Sequence, residues 1–158
     1  MSTPPANGFR TFVLVWLTQS ISVFGNALTL FAVTIWLTQV MYPAPEQQQP
    51  LALALSAVTI ARSLAVVLGA PIAGAWADRH DRKTIMLTMD FANGCVSLLM
   101  MALIINNSLN LWLLLVLIGV GALFGAFHYA AFDSSYAMLV PAKDLPRANG
   151  MMQTTQEL

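Results

Sequence analysis

The sequence predicts an all-α membrane protein with four spanning helices, and three observations carry that prediction. Of the 158 residues, 58% are hydrophobic and only 9% are charged, seven basic against seven acidic. A soluble domain carries about a quarter charged residues. The apolar residues gather into four runs, about 11–40, 51–77, 84–105 and 110–140. Each reaches the roughly 20 residues a bilayer crossing needs. The basic residues, finally, lie almost entirely between or beyond those runs. Mean hydropathy is +0.70. A spanning β-barrel would show short alternating segments instead.

The leading segment MSTPPANGFR is not read as a signal peptide. The run that follows is too long for an h-region, and no small-residue cleavage site closes a short one. Helix 1 is therefore expected to be retained. It carries Gln19, Ser22, Asn26 and Thr29 at spacings of three, four and three, which places them on one helical face. Such a stripe either lines a polar cavity or holds the bundle by interhelical hydrogen bonds, each worth about 0.6 kcal/mol.

Helix 2 places Arg62 roughly 16 Å from its outer end. A charge at that depth costs at least about 2.5–3.5 kcal/mol to insert. An anionic substrate, a carboxylate elsewhere, backbone carbonyls in a wet cavity, or snorkelling to a polar surface could each account for it. Pro71 should kink this helix. Helix 3 carries Asp90 and the single cysteine, Cys95, so no intrachain disulfide forms. Cys95 has no metal-ligand spacing to any other residue.

Helix 4 contains Gly119, Gly121 and Gly125. The last two form a small-xxx-small pair, read first as helix packing. His128 lies five positions before Asp133, so the two do not share a face. His128 is either a proton relay or a hydrogen-bonded helix contact. The tail from 148 to 158 reads as the start of a fifth helix, well short of a span.

Six of the seven basic residues fix the orientation: Arg10, then Arg79, Arg82 and Lys83, then Lys143 and Arg147. The loops TQVMYPAPEQQQP and NNSLN contain none. The positive-inside rule puts the N-terminus, the loop between helices 2 and 3, and the segment after helix 4 in the cytoplasm. Trp36, Tyr42, Trp76 and Trp112 fall near helix ends, where aromatic rings prefer the headgroup level.

The loop GAWADRHDRK holds Gly74, Asp78, Arg79, Arg82 and Lys83 in the pattern G-x-x-x-D-R-x-x-R-K at a helix–loop–helix junction. A glycine there admits a close helix neighbour. Asp78 can accept hydrogen bonds near a helix end, and Arg82 can bind a carboxylate with two parallel bonds. This loop resembles the signature between helices 2 and 3 of the major facilitator superfamily. SISVFGNALTLFAVTIWL in helix 1 and LVPAKDLPRAN after helix 4 resemble its macrolide-efflux and enterobactin-exporter branch. The superfamily pattern commonly has glycine where this chain has Asp81.

The resemblance implies the N-terminal half of a major facilitator fold. It implies a loop that acts as a conformational latch, with Gly74 packed against a second half, Asp78 capping or pairing across the interface, and Arg82 reaching Asp133. A depth count places Asp133 roughly 10 Å from the inner end of helix 4, within or nearly within snorkelling reach of an arginine. Helices 1 and 4 of that fold line a central cavity, which the polar stripe of helix 1 suits, and the candidates for substrate or coupling are Gln19, Asn26, Arg62, Asp90 and His128. Proton coupling would need Asp90, Asp133 or a residue not present here.

The expected function is part of a secondary active exporter of small lipophilic molecules, drug or siderophore type, in the inner or plasma membrane. Superfamily transporters have two six-helix halves, so a four-helix chain is expected to be a partial product, inactive alone and in need of C-terminal helices. The other expectation is a non-transporting four-helix membrane partner or regulator. An oligomeric four-helix exporter fits less well, because helix 1 holds no acidic residue. No Walker loop, zinc signature or nucleophile elbow is present, so neither an enzyme nor a primary pump is expected. No metal, cofactor or nucleic-acid partner is expected. The lipid bilayer and a small-molecule substrate are.

Overall fold

The computed structural model describes residues 8–156, with the side chains of 136–139 and 156 left aside. Residues 1–7 and 157–158 lie outside it. Most of the MSTPPANGFR segment and the last two residues of the expected fifth helix therefore fall beyond the described residues.

Five α-helices follow in order: α1 Gly8–Trp36, α2 Gln48–Ala77, α3 Arg82–Ile105, α4 Leu111–Leu139 and α5 Leu145–Gln156. A π-helical turn, Leu37–Met41, extends α1, and short 3-10 turns, Pro45–Gln47 and Ala142–Asp144, precede α2 and α5. Among the described residues four stretches are long and apolar enough to cross a membrane: Gly8–Met41, Pro45–Ala77, Arg82–Ile105 and Leu111–Ser135. Large apolar side chains such as Ile21, Phe31, Val67, Phe91 and Trp112 stand exposed on them. That pattern suits lipid as solvent, since lipid tails are as apolar as the side chains.

Helix boundaries follow capping chemistry rather than hydropathy. α3 begins at Arg82, two residues before the apolar run, because the Asp81 side chain accepts the Thr84 N–H at 2.9 Å. α4 begins after Asn110, whose Oδ1 accepts the Leu113 N–H at 2.9 Å. Between them the chain reverses in a Schellman turn. The Ser108 N–H donates to Leu103 O at 2.9 Å and the Asn107 N–H to Ile104 O at 3.0 Å. Asn107 takes the left-handed conformation, φ 52°, which asparagine tolerates better than most residues. α2 runs unbroken through Pro71.

The chain divides into two compact units. The larger, Phe31–Ala131, contains α2, α3 and most of α4. α2 turns a stripe of small residues inward: Ala54, Val58, Gly69, Ala73 and Ala77 are buried. Gly69 lies so close to Leu123 that a Cβ would stand 2.5 Å from its Cδ1. Gly119 approaches the main chain of Ala61, so α2 and α4 run parallel. α3 meets α4 where a Cβ on Gly121 would stand 3.0 Å from Asn93 Oδ1. Gly125, the other half of the expected pair, has no such neighbour. The close helix contacts therefore come from Gly69 and Gly121, not from a Gly121–Gly125 ridge.

The smaller unit joins Met1–Leu30 to Phe132–Leu158. Here α5 lies along α1. Trp16 Nε1 donates to Met151 O at 2.9 Å, Ser20 Oγ and Thr155 Oγ1 are 3.3 Å apart, and the Arg147 guanidinium sits 5.2 Å from the Phe9 ring centroid. The pairs rise together along both helices, so α5 is parallel to α1. Phe12 and Ala148 are fully buried, and Met152 and Thr155 nearly so.

Candidate functional site

Two places gather the chemistry that the sequence singles out. One is the α2–α3 turn. α2 ends as the Asp78 N–H donates to Gly74 O and the Arg79 N–H to Trp76 O, each at 3.1 Å. His80 folds back over the preceding turn. Its ring stacks on Trp76 with centroids 4.2 Å apart and planes 10° from parallel, and its Nδ1 is 3.0 Å from Trp76 O. Asp81 then opens α3, accepting from the Thr84 hydroxyl at 2.6 Å as well as from its N–H. The Thr84 hydroxyl, then its N–H, hold the Asp81 carboxyl below the usual carboxylate range.

This geometry explains why aspartate can stand where the resembling pattern commonly has glycine. The backbone at Asp81 is extended, φ −65° and ψ 114°, so no left-handed residue is required. The position is an N-cap, which aspartate fills well.

Gly74 has no close neighbour among the described residues. A Cβ built there would meet nothing within 4 Å, so no described residue uses it for close approach. The side chains of Asp78, Arg79 and Lys83 are exposed, while Arg82 is half-buried at the start of α3. Asp133 is exposed on the part of α4 that belongs to the smaller unit.

The other place is the α3–α4 contact. His128 Nε2 lies 3.5 Å from Asp90 Oδ1, with the imidazole largely covered and the carboxylate partly exposed. Spacing along α4 gives no signal for this contact, because the partner lies on another helix. Ala77, Ile85 and Ala131 form a buried apolar cluster on the turn side of the pair, joined by Met86, Met89, Phe127 and Ala130.

The other candidates are dispersed. Arg62 is exposed on α2. On α1, Gln19 is buried beside the stretch that meets α5, Ser22 and Thr29 are half-buried, and Asn26 is exposed. The Thr29 hydroxyl donates to Gly25 O within its own helix. Among the described residues no three His, Cys, Asp or Glu side chains stand together as a metal site.

Comparison with known proteins places these features in a family. The chain is 24% identical over 147 residues to a macrolide efflux protein A of Streptococcus pyogenes, a match covering 93% of this chain and 34% of that protein. It is 27% identical over 88 residues to a macrolide efflux protein A of Enterococcus faecalis, covering 56% and 27% respectively. The chain thus spans about a third of the length of these relatives. No solved structure matches significantly. The sequence model of the Major Facilitator Superfamily matches residues 13–158, which takes in the first apolar span from residue 13 on, the other three spans, the α2–α3 turn and α5. With four spanning-type helices and that match, this multi-pass membrane chain belongs to the major facilitator superfamily.

Proposed function

We propose that the chain is part of a secondary active exporter of small lipophilic molecules, drug or siderophore type, working by alternating access in the inner or plasma membrane. The family match over residues 13–158 carries this reading, and the likeness to relatives named for macrolide efflux supports the direction of transport. The chain acts as a transporter component and not as an enzyme. Because it spans only 34% of the S. pyogenes relative, export belongs to a protein with further C-terminal helices, and the isolated 158 residues do not transport. The N-terminus and the α2–α3 turn face the cytoplasm. The parallel docking of α5 on α1 supports that orientation being shared by the start of both helices.

Gly74, Asp78, Arg79, Arg82 and Lys83 with Asp133 form the conformational latch. Open space over Gly74 and the exposed Asp78 and Arg79 side chains leave that surface free to meet a second helical half. The test is export of a fluorescent lipophilic probe from cells making this chain alone, this chain with the remaining helices of a full-length exporter, and latch variants of the latter. Export only by the longer protein is expected. Arg82→Asp should reduce it at least about tenfold, and Arg82→Asp with Asp133→Arg should recover a large part, as coupled sites do. Robust export by the 158 residues alone would defeat the reading.

A further inference from the structure

We propose that Asp90 and His128 bind one proton between them, and that this proton is loaded through the exposed side of Asp90. The first observation is proximity: Nε2 and Oδ1 are 3.5 Å apart on two helices that cross the membrane. The second is asymmetry. The Asp90 side chain keeps 42% of its surface accessible and the His128 side chain 14%. The third is the apolar cluster of Ala77, Ile85, Ala131 and their neighbours, which separates the pair from the charges of the α2–α3 turn.

The charge balance follows from these positions. Without the proton the pair is a carboxylate beside a neutral imidazole, one net negative charge at membrane depth. With the proton it is either an imidazolium–carboxylate pair or two neutral groups, with no net charge. Carrying no net charge favours the loaded form where water is excluded, and hydration of the carboxylate favours release. Uptake makes and breaks only the bond to the proton.

Few other titratable groups lie on the helices that form or pack against the pair. On α3 these are Arg82 and Lys83 beyond the apolar cluster, and the exposed Cys95 on the opposite side of Asp90 along the helix. On α4, Tyr129 is exposed next to His128 and Asp133 follows five positions on. The packed face of α2 offers Gly69, Ala73 and Ala77, and its one ionisable side chain within the span, Arg62, is exposed elsewhere on the helix. Use of this proton to drive export rests on the exporter reading; its binding does not.

The decisive experiment uses the purified chain in lipid nanodiscs with 15N-labelled histidine and His80→Gln, so that the only imidazole is His128. A pH titration should show one transition. Asp90→Asn should move its midpoint by about one pH unit or more, a tenfold change in proton affinity, and Asp90→Glu should leave it close to the original. Circular dichroism confirms that each variant stays helical. An unchanged midpoint in Asp90→Asn would overturn the proposal. In vesicles of a transport-competent protein containing this chain, Asp90→Asn and His128→Gln should abolish uptake of ethidium driven by a pH gradient but keep exchange at equilibrium within about twofold. Loss of both would overturn a proton-binding role in favour of a structural one. A wild type without transport would defeat the exporter reading, and the titration would still decide the pair.

Discussion

The Trp16 indole N–H donates to the main-chain oxygen of Met151 at 2.9 Å, across 135 positions of sequence. The same oxygen accepts from the Thr155 hydroxyl at 3.3 Å, and that hydroxyl lies 3.3 Å from Ser20 Oγ. One carbonyl of α5 thus anchors a small polar network on α1, in a helix with little apolar surface of its own.

Removing the indole donor should loosen that anchor. Trp16→Phe keeps an aromatic ring and loses one interhelical bond, worth about 0.6 kcal/mol in a membrane protein. Amide exchange over residues 145–155 should quicken about threefold while α2 and α3 exchange as before. Unchanged exchange in α5 would mean that packing of Phe12, Ala148 and Met152 alone holds the helix.

The cap on α3 should be pH-dependent. Asp81 has its carboxyl lowered below the ordinary value of 3.8 by Thr84. A lowered folded value means the cap stabilises fully above the unfolded value and is lost as pH falls through the folded one. The difference in thermal stability between wild type and Asp81→Asn should therefore be constant from neutral pH down to about 5 and shrink below about 4. A difference that grows on acidification would show that Asp81 is not held ionised by Thr84.

Gly74 and Gly69 should respond oppositely to added bulk. Gly74→Ala meets open space and should stabilise the chain by about 0.5–1 kcal/mol through helix propensity. Gly69→Val should cost about 1–3 kcal/mol by overpacking against Leu123. In a transport-competent protein Gly74→Val should still abolish export, because the proposed latch places a second half there. Normal export by Gly74→Val would remove Gly74 from the latch.

The turn between α3 and α4 should tolerate glycine and reject β-branching. Asn107 is exposed at φ 52°. Asn107→Gly should stay within a few tenths of a kcal/mol of wild type, and Asn107→Val should lose about 1–2 kcal/mol. Thermal denaturation in detergent separates the two.

Fold class, the four spans and the family were legible in the sequence because they depend on quantities that add along a chain: apolar run length, scarcity of charge, and a loop motif of fixed spacing. Capping was partly legible. Asp81 and Asn110 are ordinary N-cap residues, yet hydropathy placed the start of α3 at residue 84, since a basic first turn does not look apolar. What tertiary structure decided was who meets whom. The spacing along α4 already set His128 and Asp133 on different faces, five positions apart, but it named no partner for His128 on another helix. The partner brought to hand was Asp90 on α3. Likewise, Gly121–Gly125 looked like the packing pair, while the close approaches were made by Gly69 to Leu123 and Gly121 to Asn93. Spacing along one helix fixes which residues share a face. Only the docking of one helix on another fixes what that face touches.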